Sequence, residues 1–329
     1  MITRNLRIFF IAFVFSLMVV LGTVEVSKEL TELFLAHELR TNPEIIAGVA
    51  AQKQLKQQLQ KQYPLVKKGV QMPEIQARAA LSTFVRPNGT SRVLYKKDER
   101  EPLLIASLTK LMTSLVALQL YVPTQEIAIT RDILQEQGEA GYLREGDVFS
   151  VKDLLYLTLM ESSNDAASAL AEPLGRALFI QYMQAQAEEL DMADTSFANP
   201  TGLDPPAGGE QGNYSTASDL TKLAVHLMEQ HPQVFDILSQ EELDLYTLTG
   251  EFHHTMKNTN LLLDYSEWPA RILGGKTGST PLAKESLILL LESPDHKGYI
   301  VNVVLGSEDR FLEMRTLLQW ILQSYQWQT

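Results

Sequence analysis

Ser107 and Lys110 stand one helical turn apart in ASLTKLMTSLVAL, residues 106–118, a stretch whose other positions suit a buried helix. Residues three apart share a helix face, so this hydroxyl and this amine can touch. A serine hydroxyl is a weak nucleophile until a neighbouring base takes its proton. Lysine is such a base only when neutral, and moving it from near 10.4 to near 7 means a shift of about 3 units, roughly 4 kcal/mol. Burial and a second nearby cation can supply that much. An unpaired ammonium is costly to desolvate, so apolar surroundings push Lys110 towards the neutral form. Alone the pair says little. Ordinary Ser and Lys usage gives about one Ser-x-x-Lys per chain of this length, and a helix cap at Ser107 with Lys110 reaching to water is the plainer reading.

Two further clusters change the balance. Ser162-Ser163-Asn164 follows a helix opened by the capping box Ser150-Val151-Lys152-Asp153 and precedes DAASALAE. A turn between helices can push polar side chains into a cleft; it can also be an ordinary cap made by Ser163 or Asn164. Gly274-Gly275-Lys276-Thr277-Gly278 falls where a strand is expected to begin or end. Glycines there let another backbone approach closely. A glycine-rich turn with an exposed lysine is the alternative.

The elements that must position these clusters can be read around them. Ala79 to Val85 and Arg92 to Tyr95 are strand-like runs joined by Pro87-Asn88-Gly89-Thr90, which has hairpin chemistry. Glu285 to Leu291 and Tyr299 to Leu305 form a matching pair around Pro294 to Gly298, and Asp309 to Tyr325 has helical spacing. Between these ends the chain reads as helical, with another helix after Ser215-Thr216 and a flexible loop at PPAGGEQG, residues 205–212. The fold class is therefore α/β of the α+β kind. Strands from both ends share one antiparallel sheet flanked by helices, a helical subdomain is inserted, and the cleft lies where sheet and insert meet.

With 329 residues, 45% of them hydrophobic and 21% charged, the chain can bury a large core. A net charge of -12 argues against a nucleic-acid partner, which needs a basic footprint. The absence of cysteine excludes a disulfide, a thiolate nucleophile and a cysteine-ligated zinc. After Arg4 and Arg7, the 17 residues Ile8 to Val24 carry no charge, and Glu25, Glu29 and Glu32 follow. This pattern predicts a transmembrane helix with the start of the chain in the cytoplasm and the rest outside. A signal peptide cleaved near Val20-Leu21-Gly22 is the alternative. From Ser27 to Met72 the composition suits a helical stalk or a solvated spacer. The expected partition is 1–26 anchor, 27–72 stalk and 73–329 catalytic domain.

Ser-x-x-Lys, Ser-x-Asn and Lys-Thr-Gly occur in that order, within LYKKDEREPLLIASLTKLMTSLVAL, GYLREGDVFSVKDLLYLTLMESSNDAASALAE, TSFANPTGLD, NYSTASDLTKLA and GGKTGST. Over residues 73–329 this resembles the serine D-alanyl-D-alanine carboxypeptidases, the low-molecular-mass penicillin-binding proteins of the S11 type. The resemblance implies a DD-peptidase and β-lactamase-like fold. It implies that Ser107 is acylated, that Lys110 is its base, that Ser162 relays a proton to the leaving amine, and that Asn164 bonds the substrate backbone and holds the lysine. Lys276 and Thr277 would bind the substrate's terminal carboxylate, with Lys276 also the second cation that depresses Lys110. Gly278 would lie in the substrate site, and the backbone N–H groups of Ser107 and Ser279 would form the oxyanion hole. No metal or cofactor is implied. The implied partners are peptidoglycan stem peptides ending in D-Ala-D-Ala, with β-lactams as covalent inhibitors. The implied location is the bacterial cell membrane, with the catalytic domain on the periplasmic or cell-wall side.

The sequence departs from the family pattern in three places. Ser163 replaces a glycine, Lys284 follows Ala283 where a small pair is usual, and the chain stops after LLQWILQSYQW, so the N-terminal span is expected to replace a C-terminal anchor. A cross-link endopeptidase uses the same catalytic set. A β-lactamase needs a further glutamate, for which Glu172 is the nearest candidate and is expected to face solvent. A catalytically silent wall-binding module would not need intact Ser107, Lys110, Ser162 and Lys276. A zinc peptidase has little support in His37, His226, His231, His253, His254 and His296, whose one close pair, His253-His254, reads as an exposed turn. Arg310 at the start of the last helix could reach a carboxylate, but a surface ion pair with Glu308 or Glu313 is the expectation, and Trp320 and Trp327 are expected to pack.

Overall fold

Continuous apolar runs make central strands because both their faces are covered. Ala79–Val85 and Tyr299–Ser307 are largely apolar and buried at every position, with Ser82 Oγ donating to Asn302 Oδ1 at 2.7 Å between them. The computed structural model describes residues 64–327 apart from 68, 136–140, 206–210 and 265–269. In chain order its strands are β1 (Leu65–Val66), β2 (Ala79–Val85), β3 (Ser91–Lys97), β4 (Leu103–Leu104), β5 (Glu126–Ala128), β6 (Val148–Ser150), β7 (Tyr214–Ser215), β8 (Glu242–Tyr246), β9 (Phe252–Lys257), β10 (Ile272–Thr280), β11 (Lys284–Glu292), β12 (Tyr299–Ser307) and β13 (Tyr325–Gln326). Its α-helices are α1 (Thr109–Leu120), α2 (Val151–Leu159), α3 (Asn164–Ala171), α4 (Arg176–Glu189), α5 (Ala217–Gln230), α6 (Gln233–Leu238) and α7 (Arg310–Ser324).

The main sheet has the order β10-β11-β12-β2-β3, antiparallel throughout, so strands from both ends of the chain do share it. Helix α7 packs on β11 and β12, and α5 on β12 and β2. The helical insert carries α1 to α4, whose apolar faces join one core through residues such as Leu111, Leu154, Leu170 and Phe179. Helix starts follow capping chemistry: Ser150, Ser163, Thr216 and Asp309 each accept a backbone N–H two or three residues on.

Two expectations change. The glycine-flanked lysine motif sits inside the nine-residue β10, not at its end, with Lys276 opposite Ile288. Glycines hide a strand from sequence reading because they lack a side chain to alternate. The described unit also begins before Pro73, since Leu65–Val66 pairs with Tyr325–Gln326 and Trp320 Nε1 donates to Gln71 O at 2.8 Å. The expected membrane span and most of the stalk lie outside the described residues. Among the described residues no helix is long and apolar enough to cross a membrane.

Candidate active site

Three elements deliver the polar groups. A 3-10 turn, Ala106–Leu108, leads into α1 and presents Ser107, and α1 supplies Lys110 from its first turn. The corner between α2 and α3 supplies Ser162 and Asn164, and β10 supplies Lys276. The two backbones meet closely at Gly278. A Cβ there would lie 3.0 Å from Ile105 O and 3.1 Å from Ser107 N, so glycine lets β10 pass beside the Ser107 turn without crowding it. Gly202 is tighter still, since its Cβ would fall 1.9 Å from Ala106 O.

Lys110 is fully buried. Its Nζ lies 2.9 Å from Ser107 Oγ, 2.7 Å from Asn164 Oδ1 and 2.7 Å from Thr201 O. A neutral amine has two N–H groups and one lone pair. It can donate to the two carbonyl oxygens and take the proton of the Ser107 hydroxyl on the third side. Burial lowers Lys110 from the ordinary 10.5 to about 7, which makes the neutral form available at physiological pH.

Lys276 is also fully buried, and its Nζ donates to Ser162 Oγ at 2.9 Å and to Thr277 O at 2.9 Å. Burial lowers it well below its ordinary value, with Lys110 and then Arg310 adding to the effect. Burial is the main cause of both shifts, and the two amines lie close enough to disfavour charge on one another.

Ser162 has φ of +62°, a left-handed conformation that strains a residue with a Cβ by roughly 1–2 kcal/mol. The next residue explains how the corner holds: buried Ser163 accepts the Ala166 N–H at 3.2 Å and so caps α3, leaving Ser162 and Asn164 to face the other motifs. Serine in place of the family's usual glycine therefore has a structural job. Thr277 Oγ1 lies 2.6 Å from Thr259 Oγ1, and Ser279 is exposed on β10 just past Gly278. Strand β10 is the end strand of the five-stranded sheet, and among the described residues no further strand pairs with its outer edge.

Sequence reasoning missed several groups. Thr201 contributes only a carbonyl, which no side-chain pattern reveals. Its loop is built by Asn199, whose Oδ1 accepts from Thr201 N at 3.1 Å and Gly202 N at 2.7 Å. The Asn-Pro-Thr-Gly run was the one available signal, as turn chemistry. Asp204 ties the same loop to the end of β10, accepting from Thr280 Oγ1 at 2.6 Å and Leu282 N at 3.0 Å. Arg310 is a correction. It is turned inward, donates from Nη1 to Gly278 O at 2.9 Å and approaches Glu285 rather than Glu308 or Glu313. Glu308 pairs instead with Lys284, which stands at the β10–β11 turn with its side chain half exposed. Glu172 is exposed, as expected.

The family model for D-alanyl-D-alanine carboxypeptidase, Peptidase_S11, matches residues 66–309. The chain belongs to this family. Like the rest of the S11 D-alanyl-D-alanine carboxypeptidase family, it is a serine hydrolase. It is similar to a D-alanyl-D-alanine endopeptidase of Pseudomonas aeruginosa, 32% identical over 76% of this chain and 79% of that protein. It is similar also to the D-alanyl-D-alanine carboxypeptidase DacD of Escherichia coli, 32% identical over 78% of this chain and 65% of that one. Among solved structures, penicillin binding protein 6B from Escherichia coli superposes with a TM-score of 0.66 at 30% identity, over 78% of this chain and 81% of the other. The S11 fold, an antiparallel sheet with helices, is the one described above.

Proposed function

We propose that Ser107 is the residue acylated when this S11 peptidase cleaves a D-alanyl peptide bond of the cell wall, and that Lys110 is the base that activates it. The observation that carries this reading is a fully buried amine 2.9 Å from the Ser107 hydroxyl, in a setting that makes its uncharged form available near neutrality. Ser107 Oγ attacks the carbonyl carbon of the penultimate D-alanine while its proton passes to Lys110 Nζ. The backbone N–H groups of Ser107 and Ser279 stabilise the oxyanion, an effect typically worth a few kcal/mol. As the C–N bond breaks, Ser162 hands its proton to the departing amine and takes up the proton that Lys110 removed from Ser107, which leaves Lys110 neutral for the second step. Water then attacks the ester, Lys110 takes its proton and returns it to Ser107 Oγ as the ester C–O bond breaks, and a shortened peptide with a new carboxylate leaves. Asn164 orients the peptide, while Lys276 and Thr277 hold the carboxylate next to the scissile amide.

D-Ala-D-Ala carboxypeptidase action on stem peptides is the primary reading, with β-lactams as inhibitors that acylate the same serine. A second reading, endopeptidase action on cross-links, is favoured by the Pseudomonas aeruginosa relative, 79% of whose length is matched. The acylation step serves both, because only the departing amine differs. An N-terminal anchor is proposed from the uncharged run Ile8 to Val24 between basic and acidic flanks, which places the catalytic domain on the extracytoplasmic side.

The test is incubation with a labelled penicillin, a D-Ala-D-Ala pentapeptide and a cross-linked dimer, with mass spectrometry of protein and products. The proposal expects label on Ser107, none on Ser107→Ala, and release of D-alanine. A protein that never labels, or a Ser107→Ala variant that does, overturns it; cleavage of the dimer alone selects the second reading.

A further inference from the structure

His253 and His254 lie far from the catalytic motifs in sequence and next to one of them in space. In the β8–β9 hairpin Leu245 pairs with His254 and Tyr246 with Phe252, so His253 is an extra residue in its strand, a β-bulge. Neighbours in a regular strand point to opposite faces. A bulge re-aims one of them, and such bulges recur beside functional sites. Here the two rings meet, with their Nδ1 atoms 2.7 Å apart, and His254 Nε2 lies 3.0 Å from Glu161 Oε2. The expected exposed turn is therefore a part-buried cluster: the His254 and Glu161 side chains are 13% and 14% exposed.

Glu161 immediately precedes the strained Ser162. One residue earlier, Met160 O accepts the Thr259 N–H at 3.0 Å, so β9 and the residues after it grip the α2–α3 corner at two consecutive positions. We propose that His253 and His254 share a proton as a positioning pair that, through Glu161, holds Ser162 in register with Lys276, and that loading both rings with protons releases the corner and slows acylation. This rests on the reading that Ser107 is acylated with Ser162 as proton relay.

Proton bookkeeping supports one arrangement when neither ring carries an added proton. The carboxylate of Glu161 only accepts, so His254 Nε2–H donates to it, leaving the His254 lone pair on Nδ1. His253 Nδ1–H then donates to that lone pair, and both rings are neutral. One added proton can be shared by exchanging tautomers. A second makes both rings imidazolium, and two N–H groups then face each other at a distance that allows only one. The surroundings resist that state unevenly. The Tyr142 ring packs on His254 at 5.0 Å and the Phe149 ring on His253 at 5.4 Å. Burial, His254 and Arg144 oppose a charge on His253, while Asp147 and Glu161 favour one; the net direction is below the usual histidine range.

The experiment measures the acylation rate of the full chain with a fluorescent penicillin between about pH 5 and about pH 8. Lys110 alone gives a logarithmic slope of one on the acid side. The inference expects the wild type to become steeper than one at the low end, and His254→Gln, which keeps a donor for Glu161 but takes up no proton, to return to one. Glu161→Ala should lower the acylation step by about tenfold with little change in non-covalent affinity, and Glu161→Gln, which keeps an acceptor, should recover most of that loss. A wild-type slope of one throughout, a steep slope retained in His254→Gln, or wild-type acylation by Glu161→Ala overturns the inference and leaves the Ser107 reading standing. Should Glu161→Ala fail to fold, the two slopes decide alone. A wild-type protein that takes no label at any pH removes the Ser107 reading and this inference together.

Discussion

Lys276 Nζ donates to Ser162 Oγ at 2.9 Å, joining a strand of the main sheet to a corner of the helical insert. The bond gives Ser162 a proton donor on one side and leaves its own hydrogen to point into the cleft. Ser162→Ala should therefore lower acylation by about 10²–10⁴, the usual contribution of a positioned proton donor, without loss of the fold. Stopped-flow labelling with a penicillin and a thermal melt check the two halves of the expectation.

Gly278 tests the closeness of β10 to the nucleophile. A Cβ there meets backbone at Ile105 and Ser107, which cannot give way as a flexible side chain would. Gly278→Ala should push the Ser107 turn back by a few tenths of an ångström and slow acylation by less than the roughly 10²-fold that a misplacement of about 1 Å costs. Normal labelling of that variant would show that strand and turn separate easily.

Ser163 tests the corner by stability rather than rate. Loss of its bond to the Ala166 N–H should cost about 1 kcal/mol in Ser163→Ala, read from denaturant unfolding. Ser163→Gly should cost only a few tenths of that unit, since glycine is tolerated at a cap.

Lys110 predicts how stability depends on pH. Its folded value of about 7 lies below the ordinary 10.5, so between the two the unfolded chain holds a proton that the folded one lacks. Its contribution therefore makes the fold more stable as pH rises through that window, and Lys110→Met should flatten the rise. Chemical denaturation across the window measures it. Lys110→Arg should fold and fail to acylate, because a guanidinium stays charged.

The residues proposed to carry chemistry were legible because side-chain type and spacing reveal them: Ser107 and Asn164 both bond Lys110, and Ser162 bonds Lys276. The sheet was legible where apolar runs are long, as in Ala79–Val85. Other features leave no such trace. The Thr201 carbonyl is backbone, the contact of Gly202 with Ala106 depends on two loops meeting, and the bulge at His253 appears only when β8 and β9 are paired. Arg310 was misplaced because sequence shows its acidic neighbours along the chain and not Gly278, brought beside it by the sheet.

The central claim is that Lys110 is a neutral amine at working pH, and it can be measured by titrating the ε-carbon of Lys110 by NMR in lysine-labelled protein, assigned with Lys110→Arg. The account predicts a midpoint near 7, well separated from the surface lysines. A midpoint at the ordinary 10.5 would mean a charged ammonium beside Ser107 and no base to activate it.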